Sequence, residues 1–158
     1  MKLNENDMNT MYEIQGPMGK GLNIQSSGVH VAFTAGTGIL VFIDLVAHLV
    51  KKNLGLLSPE EDAQLDPKFR FILFCSFPKK EEAIGFEMCQ LLNDLCQSQG
   101  MNNFQFVSRF SNVSKERWDT AFLEKRLQEY DSQNLRRLWV CGPPSMNELF
   151  DKYLCTNI

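Results

Sequence analysis

Short apolar runs alternate with longer amphipathic stretches along this chain. Runs rich in β-branched and aromatic residues predict strands at 29–34, 69–74, 104–107 and 138–140. The spacing of apolar residues predicts helices at 39–52, 81–99, 119–130 and 146–153. Strand and helix therefore follow each other four times, which is typical of a parallel sheet covered on both faces.

Helix boundaries carry recognisable signals. Asn53 and Gly55 are expected to end the first helix, and Gly100 the second. The polar segment 55–68 contains Ser58-Pro-Glu-Glu61, a capping box that predicts a short helix in a surface insertion. Ser145 and the glutamate three residues later form a second capping box, so we expect the last helix to begin at Met146.

The segment 29–50 is largely apolar over about the length that crosses a bilayer. We do not expect it to span a membrane, because Gly36-Thr-Gly38 interrupts it and Asp44 and His48 lie in its second half. It is interpreted as a buried strand, a tight turn and a helix so apolar that it must be covered on several sides. Residues 1–28 lack the apolar centre of a secretory signal.

Composition narrows the class of protein. A chain of 158 residues, 44% of them hydrophobic, can bury one core and has no room for a second full domain. A net charge of −3 without a long basic run argues against nucleic-acid binding. The five cysteines, odd in number and without Cys-x-x-Cys spacing, indicate neither a disulfide framework nor a metal site. We expect a reducing compartment, either the cytoplasm or the cytoplasmic face of a membrane.

A glycine-rich loop, Ala35-Gly-Thr-Gly-Ile39, follows the first strand. Its glycines let the backbone approach a ligand closely, and the N-terminus of the next helix offers unpaired N–H groups to a phosphate. The full dinucleotide fingerprint would have a third glycine where Val41 stands and an acidic residue where Cys75 and Ser76 stand. From these residues alone, a phosphate loop and an ordinary tight turn stay equally open.

A second loop, Cys141-Gly-Pro-Pro144, follows the fourth strand and predicts a rigid shelf at the edge of the sheet. The alternative is a buried cysteine before a turn. A nucleophilic cysteine would need a base, and the two histidines, His30 and His48, stand at a strand start and in an apolar helix, where packing is expected. Cysteine-protease chemistry is therefore disfavoured.

Taken together, these loops resemble those of the pyridine-nucleotide half of the ferredoxin reductase and cytochrome b5 reductase family. Cys141-Gly-Pro-Pro-Ser-Met146 is similar to the Cys-Gly-Pro-Pro-x-Met of the cytochrome b5 reductase-like branch. Gly36-Thr-Gly-Ile39 resembles the start of Gly-Thr-Gly-Ile-Thr-Pro, with Leu40 and Val41 in place of Thr-Pro. Gly16-Pro-Met-Gly19 resembles the end of the flavin barrel. Phe74-Cys-Ser76 resembles the end of the second strand, and Ser108-Arg109 with Trp118 resembles the loop after the third strand.

The resemblance implies a Rossmann-like, doubly wound parallel sheet in three α/β/α layers. Residues 1–25 would be the remnant of a flavin-binding barrel and its linker, and residues 26–158 an NAD(P)-binding domain. Its function would be to position the nicotinamide of NADH or NADPH for hydride transfer to FAD in a separate or missing domain of the same parent chain. A heme or iron–sulfur domain would then take single electrons. No flavin signature appears in the sequence, so we expect the isolated chain to be inactive.

The resemblance also assigns site residues. Cys141 would lie beside the nicotinamide carbon and position it as the catalytic residue. The residues implied to bind the cofactor are Thr34, Gly36, Thr37, Gly38, Ser76, Ser108, Arg109, Cys141, Gly142, Pro143, Pro144 and Met146. In plant-type members a Ser-Arg pair holds the adenosine 2′-phosphate, for which a guanidinium is well shaped. Members that use NADH also carry this pair, so the choice of cofactor stays open. Lys115 and Arg117 are further candidates for the phosphate.

Two alternatives have other functions. A non-catalytic nucleotide-sensing or partner-binding module could have kept the fold and lost the flavin, and Leu40 and Val41 leave this open. A receiver-type signalling domain would need an acidic cluster after the first strand and a lysine after a later one. Ala35-Gly36 and Cys141-Gly142 occupy those positions, which disfavours a receiver.

Overall fold

The computed structural model describes residues 21–114 and 118–157. Its strands are β1 (Gly28–Ala35), β2 (Phe69–Phe77), β3 (Phe104–Phe110) and β4 (Leu135–Cys141). Its α-helices are α1 (Ile43–Asn53), α2 (Pro59–Asp62), α3 (Phe86–Ser98), α4 (Thr120–Asp131) and α5 (Pro144–Asn157). Short 3-10 helices cover Gly36–Phe42 and Lys80–Glu82. The Gly16-Pro-Met-Gly19 motif, Lys115 and Arg117 lie outside the described residues.

The four strands form one parallel sheet in the order β3-β2-β1-β4. β1 and β2 pair from Gly28 opposite Phe69 to Ala35 opposite Ser76, and β4 lies on the other side of β1. The direction of strand addition therefore reverses between β1 and β4. In open parallel sheets ligands bind beyond the carboxyl ends of the strands at such a point. The predicted Rossmann-like, doubly wound fold is confirmed.

Apolar residues on alternate positions of the strands build a core on each face of the sheet. On one face Phe71 and Leu73 pack with residues of α1 and α3, including Leu92. On the other face Phe74 packs with Leu123 of α4 and with other buried residues of α4 and α5. Because strand residues alternate between faces, the near-continuous apolar run of β2 serves both cores. The result is the expected three-layer arrangement.

The start of the first helical segment differs from the prediction. A 3-10 helix precedes α1, and within it Leu40 and Val41 are 51% and 52% exposed. The expectation that this segment is covered on several sides is therefore wrong at its beginning, although Leu45, Val46 and Leu49 of α1 are buried.

The second predicted helix also begins later than expected. Gly85 adopts φ +72°, a left-handed conformation that an α-helix cannot contain, so α3 starts at Phe86. Its buried side then carries Cys89, Leu92 and Cys96, whereas Leu91 is exposed.

Two other element boundaries differ from those predicted. β3 continues to Phe110, so Ser108 and Arg109 lie in the strand and not in the loop after it. α5 begins at Pro144, whose fixed φ suits the first helical position. Ser145 is consequently inside the first turn, and the capping box predicted at Ser145 is wrong. The capping box predicted at Ser58 is confirmed, because Ser58 and Glu61 form reciprocal hydrogen bonds at the start of α2. Within the described ranges, no helix combines the length and apolarity that crossing a bilayer requires.

His30 has the packing role expected from the sequence. Its ring is fully buried, with Nδ1 3.2 Å from the Gly28 carbonyl oxygen and Nε2 3.2 Å from the Gln25 backbone nitrogen. The Gln25 N–H donates to Nε2, so the neutral ring carries its proton on Nδ1. Burial, and secondarily the charge of Arg137, lowers the pKa of His30 below its usual 6.5.

The buried neutral ring predicts a loss of stability in mild acid. Below about pH 6.5 this histidine binds a proton in the unfolded chain but stays neutral in the folded protein. The free energy of unfolding therefore falls by up to about 1.4 kcal/mol per pH unit as the pH is lowered. Urea unfolding at about pH 7.5 and pH 5.5 measures this loss. It should shrink in His30→Gln and persist in the control His48→Gln. An equal pH dependence in the wild type and His30→Gln would contradict the assignment.

Candidate functional site

The carboxyl ends of the strands enclose a cleft made of two adjoining cavities. The first, called here the loop cavity, has about 550 Å³; its lining residues are Ala35–Gly38, Ser76–Pro78, Ser111 and Cys141–Pro143. The second, called here the arginine cavity, has about 350 Å³; its lining residues are Ala35, Ser76, Arg109, Ser111, Trp118, Pro143, Ser145, Met146, Leu149 and Phe150. Because the two share Ala35, Ser76, Ser111 and Pro143, they form one continuous cleft.

The loops after β1 and β4 meet because of the register of their strands. Thr34 and Cys141 are partners in the β1–β4 ladder, so both chains leave the sheet at the same level. A β-carbon on Gly38 would lie 2.9 Å from the carbonyl carbon of Cys141 and 3.2 Å from its Sγ atom. Only glycine fits this contact. Gly36 is needed for a different reason, since its φ is +55° while the space around it is open.

The loop after β4 is fixed from two further directions. A β-carbon on Gly142 would lie 2.6 Å from the sulfur of Met146 and 3.2 Å from Cβ of Ala35. The Asn147 side-chain amide donates to the Gly142 carbonyl at 3.3 Å. Residues at the start of α5 therefore hold the shelf against the glycine loop.

Arg109 forms one wall of the arginine cavity. It is the ladder partner of Ser76, and its Nε donates to the Ser76 hydroxyl at 2.9 Å. Its guanidinium carbon lies 4.8 Å from the centre of the Trp118 ring. A guanidinium held at the mouth of a strand-end cleft is suited to bind a phosphate or carboxylate.

Most of the residues predicted for the site line the cleft, but three do not. Thr34 is fully buried and donates its hydroxyl to the Phe74 carbonyl at 3.1 Å, which makes it a packing residue. Ser108 pairs with Cys75 inside the sheet, and Pro144 starts α5; neither lines a cavity.

Ser111 and Ser145 were missed by the sequence reasoning. Ser111 follows β3 directly and lines both cavities, and Ser145 lines the arginine cavity. The apolar run that predicts β3 stops at Val107, whereas the strand continues to Phe110, so the sequence pattern does not place Ser111 at the strand end. Ser145 was visible in the sequence, but it was assigned to a helix cap.

The thiols divide into two groups. Burial raises the pKa of Cys75 and of Cys89 to about 12 each, and burial also raises the pKa of Cys96. Cys141 is partly buried at the cleft and Cys155 is exposed. Among the described residues lining the cleft there is no histidine to activate Cys141. Nor do residues 21–114 and 118–157 contain a cluster of three or more potential metal ligands.

The fold is shared with known reductases. Two variants of ferredoxin–NADP⁺ reductase from Plasmodium falciparum, both in complex with 2′P-AMP, are similar to this chain. One matches with a TM-score of 0.51 and 15% identity over 79% of this chain and 48% of the reductase. The other matches with a TM-score of 0.53 and 16% identity over 82% of this chain and 48% of the reductase. No protein-family model and no curated protein matches the sequence.

This chain thus spans about half the length of the reductases that it matches. At the level of the fold, the likeness confirms the resemblance drawn from the two loops.

The contact between Gly38 and Cys141 predicts the outcome of adding one methyl group. Gly38→Ala should force the loops apart and lower the free energy of unfolding by about 1–3 kcal/mol. It should also speed the reaction of Cys141 with Ellman's reagent, measured in a Cys155→Ser background in which the other three thiols are buried.

Gly36→Ala is the matched control. It adds the same methyl into open space, so it should cost about 1–2 kcal/mol for the left-handed backbone and leave the rate at Cys141 unchanged. Equal rates at Cys141 in the wild type and Gly38→Ala would mean that the two loops are not in contact.

Proposed function

We propose that this chain is the NADPH-binding domain of a flavin-dependent oxidoreductase, in which it positions nicotinamide for hydride transfer to FAD held by a separate domain. The observation that carries the proposal is the cleft at the switch point, where the glycine loop meets Cys141 and Arg109 forms the far wall. It is supported by the fold shared with reductases whose structures contain 2′P-AMP.

The arginine cavity suits the adenosine end with its 2′-phosphate. Arg109 supplies the charge, and Ser76, Ser111 and Ser145 supply hydroxyl groups. None of the described residues lining either cavity is acidic. A free ribose 2′-hydroxyl would instead favour an acidic residue at the end of β2, where Ser76 stands. These features favour NADPH over NADH.

The loop cavity suits the pyrophosphate and the nicotinamide. Gly36, Thr37 and Gly38 allow the backbone to approach the phosphates, and Cys141 lies one strand away. Cys141 has no base beside it in the described cleft, so its role is to position the ring and not to form a bond to it. FAD held by the separate domain would supply the hydride acceptor and would pass electrons singly to a heme or iron–sulfur partner.

Exposed apolar side chains beside the glycine loop offer a surface to a second domain. Leu40 and Val41 follow that loop directly, and each is about half exposed. This exposed apolar surface beside the glycine loop supports a flavin domain as the partner that covers it.

The phosphate-binding role of Arg109 predicts selective loss. A hydrogen bond to a charged group is worth about 1.5–3 kcal/mol, so Arg109→Ala should weaken NADPH binding roughly ten- to a hundredfold. NADH binding should change little, because NADH has no 2′-phosphate. Calorimetric titration of both nucleotides measures the two affinities.

Arg136→Ala is the matched control, since it removes an exposed arginine of β4 that lies outside the cleft. It should leave both affinities unchanged. Equal losses of NADPH and NADH in Arg109→Ala would show that Arg109 supports the loop and does not bind the 2′-phosphate.

The purified chain should carry no stoichiometric flavin, as its absorbance spectrum would show.

The positioning role of Cys141 predicts a kinetic effect. When a flavin-binding domain is supplied, Cys141→Ala should slow flavin reduction by NADPH far more than it weakens nucleotide binding, the pattern of an interaction made mainly in the transition state. Stopped-flow absorbance separates the two. Tight nucleotide binding without any flavin reduction would instead favour a nucleotide-sensing module.

A further inference from the structure

We propose that Trp118 is a positioning residue that, with Ser76, holds the Arg109 guanidinium ready for the 2′-phosphate before the nucleotide arrives. Trp118 would thus set the preference for 2′-phosphorylated nucleotides without itself contacting the phosphate. The inference rests on the proposed function, and it concerns how the same cleft obtains its selectivity.

Two of the contacts that Arg109 makes in the described structure orient its guanidinium. The Ser76 hydroxyl accepts a hydrogen bond from Nε at 2.9 Å, which fixes the inner end of the guanidinium plane. The Trp118 ring lies 4.8 Å from the guanidinium carbon, within the range of a favourable cation–π contact. Ser76 and Arg109 are ladder partners at the carboxyl ends of β2 and β3, so the sheet itself sets their spacing.

Trp118 is in turn anchored by the core. It is only 8% exposed, and its ring meets Phe33 edge-on at 5.6 Å and Phe74 edge-on at 6.4 Å. Phe33 and Phe74 stack on each other at 4.6 Å on the neighbouring strands β1 and β2. Phe122 of α4 lies nearly parallel to the Trp118 ring at 6.4 Å. A ring held on several sides has little surface left for a base to stack on, so its functional contact is with Arg109.

The energetic consequence is preorganisation. A long arginine side chain loses rotamer freedom when it orders around a ligand, and that cost lowers affinity. An arginine already fixed by a ring and a hydroxyl avoids part of this loss. Because only 2′-phosphorylated nucleotides use the guanidinium, the gain falls on them alone.

The test compares 2′P-AMP with AMP, which differ only in the 2′-phosphate. Trp118→Leu should weaken 2′P-AMP binding by about two- to tenfold, the cost of ordering one long side chain on binding, and leave AMP binding unchanged. Trp118→Phe keeps an aromatic face and should lose less. Trp139→Leu is the matched control: it removes the other tryptophan, which packs with Phe42 and Phe71 on the opposite face, and should change neither affinity.

A fluorescence measurement keeps the test valid if Trp118→Leu does not fold. In Trp139→Phe, Trp118 is the single tryptophan, and its emission reports on the overlying guanidinium. Saturating 2′P-AMP should shift or quench this emission, and saturating AMP should not.

The outcomes separate this inference from the proposed function. If the wild type binds both nucleotides equally, the NADPH assignment and this inference both fail. If the wild type prefers 2′P-AMP and the preference survives in Trp118→Leu, only the inference fails. Equal loss of both nucleotides in a folded Trp118 variant, or an identical emission change with both, would assign Trp118 to the core alone.

Discussion

The close approach of Gly38 to Cys141 is the constraint on which the cleft depends. It follows from two facts of the backbone: β1 and β4 are adjacent and parallel, and Thr34 is level with Cys141 in their ladder. Two loops that leave neighbouring strands at the same height must touch, and a residue without a side chain is what allows them to do so. The contact closes one end of the cleft and places the thiol beside the glycine loop. The site is thus a consequence of sheet topology before any side-chain chemistry applies.

The opposite wall depends on the core. The alternation of strand residues sends Phe74 and Ser76 to the same side of β2, one into the apolar cluster and the other to the cleft. The aromatic cluster that Phe74 joins also holds Trp118, and Trp118 carries the guanidinium of Arg109. Stability and recognition therefore share side chains on this wall. A substitution in the aromatic cluster is expected to affect the arginine, whereas one in the opposite core should not.

The order of strands and helices, the parallel sheet and the two signature loops were all predictable, because apolar runs and glycine or proline breaks report local backbone preferences. Element ends were not. β3 extends beyond its apolar stretch because an edge strand tolerates Ser108 and Arg109. α3 starts later than predicted because Gly85 takes a left-handed conformation. The site was partly predictable for the same reason. A resemblance between loops does not tell which face a residue near a strand end occupies, and Thr34, which the resemblance assigned to the cofactor, is buried.

Mapping the nucleotide by amide chemical shifts tests the central claim most directly. On titration of the ¹⁵N-labelled chain with NADP⁺, the account predicts that the amides of Gly36, Gly38, Ser111 and Gly142 shift together, since they come from the loops that line one cleft. Shifts confined to the groove between α4, β4 and α5, around Leu127 and Leu138, would place the ligand elsewhere and contradict the account. If millimolar NADP⁺ changes no amide chemical shift, the cleft does not bind this nucleotide.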